Sequence, residues 1–289
     1  MPQGTASQLS QLQGGNPNLR PETATTYTIG ATLTPVALPS FTGSLDYYHI
    51  KLVDEVGSLP ATVIMTNCLN TGDPTYCSQI QRSVTGGLTG NSLASKGYFI
   101  QTNVNTGAAE LSGLDLQAAY KLGLPRALGS LRFLMNGAYL LTDKSTPIPS
   151  GGTYDCAGLF GQTCQTVNPR WRHNLRVSWE TPWDVSISAT WRHFGKVSLD
   201  NNQSNGLLAL ASFSTINAFN AQIPAYNWLD LSASWDIWKN VQLRGGINNL
   251  FDKDPPIVTS EIVSGGAANS YEAYDGLGRQ LFLAVTARF

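Results

Sequence analysis

The residues of this chain best suited to covalent or metal chemistry are four cysteines and three histidines. Cys68 and Cys77 bracket the segment CLNTGDPTYC, and Cys156 and Cys164 bracket CAGLFGQTC. An even number of cysteines in two local pairs suits disulfides made in an oxidising compartment. A metal site is the rival chemistry, but neither segment has CxxC spacing or contains a histidine. Closing loops this short would stabilise each by roughly 2–3 kcal/mol on the chain-entropy estimate. His49, His173 and His193 lack the i, i+4 spacing of a helical metal pair. His173 and His193 fall on neighbouring predicted strands, where they could meet across a ladder as interfacial polar residues. There is no GxSxG elbow, and no nucleophile is gathered with a base and an acid. Neither an enzyme nor a cofactor is expected.

The other polar chemistry is spread singly over alternating positions. In residues 184–192 (DVSISATWR), Val185, Ile187, Ala189 and Trp191 alternate with Ser186, Ser188, Thr190 and Arg192. Residues 114–122, 174–180 and 228–237 repeat the arrangement. Such period-2 alternation marks strands with one greasy and one wet face. The wet faces collect Asp115, Gln117, Lys121, Arg132, Asn136, Arg176, Arg192, Asp230, Asp236, Gln242, Arg244 and Asn248. Charges dispersed in this way pair across strands and hold water or ligand; they do not turn substrate over.

Nine strands are predicted, at 23–35, 41–53, 98–122, 130–143, 170–181, 184–197, 225–238, 240–250 and 277–289. Connections after the first, third, fifth and seventh are short; those after the second, fourth, sixth and eighth are long and rich in Gly, Asn, Ser and Thr. A soluble sandwich has no reason to put every long loop at one end, whereas an outer-membrane barrel has tight periplasmic turns and extended surface loops. Trp171, Trp179, Trp183, Trp191, Trp228, Trp235 and Trp238 sit near strand ends or turns, on the greasy faces, as interfacial girdles require. The composition agrees. Only 13% of the 289 residues are charged, about half the usual share of roughly 25%, and the net charge is −1. That balance gives no electrostatic footprint for nucleic acid. No run approaches the roughly 18 apolar residues of a membrane helix. The first fifteen residues, Gln/Ser/Gly-rich, read as a loop without a signal peptide. The fold class is therefore all-β: an antiparallel transmembrane β-barrel segment of about nine meandering strands, with the wet faces toward the lumen.

Four segments then resemble one family, the TonB-dependent outer-membrane receptors. Residues 16–22 (NPNLRPE) with 25–33 (TTYTIGATL) resemble its Asn-Pro-x-Leu-x-Pro-Glu approach to a mid-barrel strand. Residues 111–120 (LSGLDLQAAY) are similar to its Gly-hydrophobic-acidic strand. Residues 246–253 (GINNLFDK) resemble its Asn-Leu-Phe-Asp, and 274–289 (YDGLGRQLFLAVTARF) its last strand, ending in Phe. The resemblance implies a 22-strand barrel with an amino-terminal plug, in a Gram-negative outer membrane, taking up siderophore iron, cobalamin or oligosaccharide with energy from TonB. This chain reads as a partial receptor barrel over 1–289, loop over 1–22 and strands beyond, without plug, TonB box or leader. Its partners would be outer-membrane lipid, the missing plug and strands, TonB through that plug, and the outer-membrane assembly machinery, which would recognise Phe289. In a complete receptor the wet-face residues would also meet the plug, while residues 201–220 would offer Asn and Phe to substrate. The rivals are a passive porin or adhesin-type barrel, which needs no plug, and an outer-membrane hydrolase, which needs an acid-base cluster at the rim.

Overall fold

The computed structural model describes residues 10–59, 61–90, 92–125, 127–147, 152–161, 163–208, 221–258 and 270–288. Phe289 and residues 209–220 of the expected substrate loop lie outside them. Nine long strands carry the fold: β1 (Thr23–Leu33), β2 (Phe41–Gly57), β3 (Val104–Gly123), β4 (Ser130–Thr146), β5 (Trp171–Glu180), β6 (Val185–Phe194), β7 (Tyr226–Trp238), β8 (Val241–Asn248) and β9 (Gln280–Ala287). They lie side by side in chain order, with Tyr154–Asp155 pairing off the path onto β4. The ladders from β4 to β9 are antiparallel, and among the described residues no ladder joins β1 to β9. Contacts divide the chain into two compact units.

The first unit comprises Met1–Ala24, Leu52–Ala109 and Thr146–Gly151. The expected long strand over 98–122 is broken here. Tyr98–Ile100 leaves the ladder to pair with Gln11–Leu12 and Ile80–Gln81 in a small separate sheet. The reason is burial: Phe99 is fully enclosed with Leu59, Ile64 and Tyr76, and the carbonyl of Asn103 is taken by Asn16 Nδ2 at 3.0 Å. The connection expected as irregular holds helices α1 (Ala61–Thr71) and α2 (Pro74–Cys77), which the Cys68–Cys77 bond joins. The NPNLRPE segment is stapled to strand ends by its side chains: Glu22 Oε1 accepts Val56 N–H at 2.7 Å, and Arg20 reaches Asp54 at 3.1 Å.

The second unit comprises Thr25–Lys51, Glu110–Ser145 and Gly152–Phe289. Its register separates the two faces row by row. Phe133, Val177, Ala189, Leu231, Ile247 and Leu281 are successive ladder partners, and so are Arg132, Ser178, Ser188, Ser232, Gly246 and Phe282. Apolar side chains on the first face stay open: Ile187 is 43% exposed and Leu283 75%. A sheet that buried this face in a protein core would not leave it so. Turns are tight at one end, as where Thr181 N–H bonds Val185 O and Lys239–Asn240 alone link β7 to β8. One tryptophan departs from expectation. Trp228 lies on the polar side and is buried, because its even position faces the loop core of Phe160, Val197, Leu199, Tyr226 and Tyr274. Trp238 stays with the apolar side because a register shift after Asp236 sets it opposite Val241.

Candidate functional site

Alternation places the polar residues, and cross-strand neighbours then fix them. Arg192 Nε and Nη2 grip Asp230 Oδ2 and Oδ1 at 2.7 and 3.0 Å, a bidentate pair that Asn249 N–H completes at 2.8 Å. The same guanidinium lies 4.9 Å from the Trp228 ring centre. Arg176 Nη2 donates to Ser188 Oγ at 3.0 Å, which also meets Ser178 Oγ at 2.8 Å. Gln242 Nε2 donates to Asp236, and Lys121 reaches Glu180 on β5 at 3.1 Å. Arg244 lies over Phe282, Arg132 stands opposite Ser178, and Asn248 opposite Gln280. Two of these contacts, Arg192–Asp230 and Lys121–Glu180, pair opposite charges, and the others hold a side chain within the face through hydroxyl, amide or ring neighbours.

One region differs. A cavity of about 540 Å³ within the second unit is lined by Asp115, Gln117, Asn136, Asn174, Arg192 and Trp228. Four of these, all but Trp228 and Asn174, belong to the expected wet-face set. Arg172 also lines it and has no ion-pair partner among the described residues. The alternation that exposes Arg176 reaches Arg172 two positions before Asn174, so its signal was in the sequence. The aromatic core beside the cavity had no such signal, because Phe160 comes from one long connection and Tyr271 and Tyr274 from another. Tyr274 and Trp228 each bury a polar atom that finds no partner in the described residues. Burial pushes both Tyr271, to about 12, and Tyr274 upward; Asp200 adds to the first.

The loop chemistry has its own order. Cys156 and Cys164 are bonded to one another, and no free cysteine is found among the described residues. The hairpin they close is held by Asp200, whose Oδ2 accepts the N–H groups of Thr163 and Cys164 at 2.9 Å each. Burial raises the Asp200 carboxyl above the usual range, against the pull of those donors. His173 and His193 are direct ladder partners with rings 4.9 Å apart, on the apolar side; Trp171 Nε1 donates to His173, and Asn227 Oδ1 takes Trp191 Nε1. His49 stacks on Tyr27.

The two carboxy-terminal motifs also meet. Asn249 adopts the left-handed conformation (φ 52°), is buried, and closes a turn through Lys253 N–H and O. Asp252 Oδ1 then accepts Arg279 N–H at 2.7 Å, beside Gly278 at φ +68°. Asn-Leu-Phe-Asp is thus a brace that sets where the last strand begins.

Residues 2–250 match the family described as TonB dependent receptor-like, beta-barrel. The chain belongs to that family. The TonB-dependent receptor barrel is similar to the ferrienterobactin receptor of Escherichia coli, 27% identical over 134 residues that make 43% of this chain and 17% of that protein. It is also similar to the ferric enterobactin receptor of Pseudomonas aeruginosa, 26% identical over 132 residues, 43% of this chain and 16% of that protein. A crystal structure of a mutant of the latter superposes with a TM-score of 0.61 at 20% identity, covering 96% of this chain and 32% of that one. The chain thus spans about a third of the length of that solved receptor, and its sheet is an antiparallel segment of a receptor barrel.

Proposed function

We propose that this chain is the carboxy-terminal part of an outer-membrane receptor barrel that takes up a ferric siderophore with energy from TonB. The polar rows face the barrel interior and its plug, and the apolar rows face outer-membrane lipid. The observation that carries this reading is the family match over residues 2–250; the names of the two receptors it is similar to supply the substrate class. The cavity chemistry agrees. An iron chelate with anionic oxygens and aromatic rings is served by the unpaired Arg172, the stacked Arg192–Trp228 pair and the amides of Asn136 and Asn174. The plug and the remaining strands are contributed by the complete receptor, TonB acts through the plug, and Phe289 ends the signal read by the assembly machinery. A plug-free porin would need β1 and β9 to close on each other, and the linear strand order speaks against it.

The test is uptake of iron-55 siderophore by cells that lack their own receptors and carry the complete receptor containing this chain. Uptake should require TonB, and Arg172→Gln should weaken siderophore binding about tenfold, as expected for losing one charged hydrogen bond. Uptake that persists without TonB, or uptake of cobalamin in place of ferric siderophore, contradicts the proposal.

A further inference from the structure

The polar side of the second unit carries an order of charge that the cavity does not use up. Ladder partners define its rows, counted here from the loop end. Arg172 shares the first with Phe194, and Arg192 the second with Asn174. Arg176 shares the third with Thr190, and Arg132 the fourth with Ser178. Each row thus holds one arginine on β4–β6, and the series steps between neighbouring strands in the order β5, β6, β5, β4. Two residues along a strand and one strand across set successive Cα atoms about 8 Å apart, so the four arginines cover about 20 Å of wall.

Three of the four charges are uncompensated. Arg132, Arg172 and Arg176 are exposed, and none has a carboxylate within ion-pair distance among the described residues. Arg192 is balanced by Asp230 through Nε and Nη2, which leaves its Nη1 uncommitted. Asp115 is the one carboxylate lining the cavity at the head of the series. Glu180, one row below Arg132, is taken by Lys121 and Ser130 Oγ at 3.1 and 3.0 Å. Cross-strand stability alone would set opposite charges side by side, so a succession of unbalanced cations is a cost that an anionic occupant offsets. The side chains also lean along the series. Arg176 Nη2 reaches down one row to Ser188 Oγ at 3.0 Å, and Ser188 is the ladder partner of Ser178, whose other partner is Arg132. Ser178 and Ser188 are short and buried, so the wall is low where the two guanidiniums approach.

The geometry points to a track for the anionic ferric chelate along β4–β6, from the cavity at Arg172 past Arg192 and Arg176 to Arg132, between this wall and the plug. Several weak sites in series let an anion enter and still leave, which one tight site would not. The inference rests on the proposed uptake of a ferric siderophore and assigns the stretch of wall along which it moves.

The experiment uses iron-55 siderophore and cells carrying the complete receptor, with binding read in a strain without TonB and the initial uptake rate in one with it. Arg176→Gln and Arg132→Gln should each lower the saturated uptake rate about fivefold, and together about twenty-five-fold, with Kd unchanged. Arg176→Lys and Arg132→Lys, which keep the charge, should stay within about twofold of the native rate, and Arg176→Glu should fall below Arg176→Gln. Arg244→Gln, on the same side but four strands from Arg132, should also stay within about twofold. Heat-modifiable mobility checks that each variant is folded. A native rate in both glutamine variants, a Kd weakened as much as the rate, or an equal loss in the lysine variants would overturn the proposal. So would entry of a large glycopeptide antibiotic into the variant cells without TonB, the result expected if these arginines hold the plug in place. Absence of uptake by the native receptor removes the siderophore reading and the track with it, whereas native uptake with indifferent variants removes the track alone.

Discussion

Asp200 is fully buried, and the N–H groups of Thr163 and Cys164 converge on its Oδ2. A Cβ at Gly161 would collide with the carboxylate, so the hairpin wraps it closely. Asp200→Ala would strand two buried donors and should cost about 2–4 kcal/mol, whereas Asp200→Asn keeps an acceptor and sheds a buried charge, and should stay within about 1 kcal/mol. Faster amide exchange at Thr163 and Cys164 in the alanine variant alone is the expected result. Tyr271 gives the pH dependence of the same core. Its phenol is raised to about 12 from 10.0, so the native state holds the proton that the unfolded chain gives up first. That contribution is intact below pH 10 and is lost as the pH rises from 10 to 12. Tyr274 shifts the same way, so Tyr271→Phe should lessen, without abolishing, the alkaline decline in stability followed by tryptophan fluorescence. Neither Asp200 nor Tyr271 was legible beforehand. Each acts through partners from distant connections, and local spacing carries no trace of that.

The strands, in contrast, were readable because their signal is local. Residues 184–192 alternate without error, and β6 forms over Val185–Phe194 with its greasy set on one side. Helix α1 was hidden for the opposite reason. Its sequence, ATVIMTNCLNT, has β-branched residues through its first half, no acid in the first turn and no base in the last. Packing overrides that propensity: Ile64 is fully buried against Phe99, and Cys68 is tied to Cys77. The helix should therefore depend on its disulfide. Replacing both Cys68 and Cys77 by Ser should weaken this element by roughly 2–3 kcal/mol and speed amide exchange across Ala61–Thr71. Exchange in β5 and β6 should not change, because that sheet belongs to the other unit. Equal loss in both places would mean that the units do not fold as separately as their contacts indicate.

For the molecule as a whole, the faces matter more than any site. Nine strands in chain order present continuous apolar rows on one side and polar rows on the other, with β1 and β9 as edges. Unpaired strand edges are untenable in hydrocarbon, where each unsatisfied backbone group costs several kcal/mol, so the edges require partner strands from the rest of a receptor. The sequence made this architecture legible through alternation, loop asymmetry and motif order, while the first unit, built from a broken strand and a helix, stayed out of view. The central claim is that the apolar rows face lipid and the polar rows face the barrel interior. Nitroxide labels placed singly at Ile187, Leu283, Ser234 and Ala284 of the complete receptor in outer-membrane vesicles test it most directly. Oxygen should quench Ile187 and Leu283 strongly and a water-soluble nickel chelate should not; Ser234 and Ala284 should show low oxygen access. Equal access at all four positions, or the reverse pattern, would contradict the account.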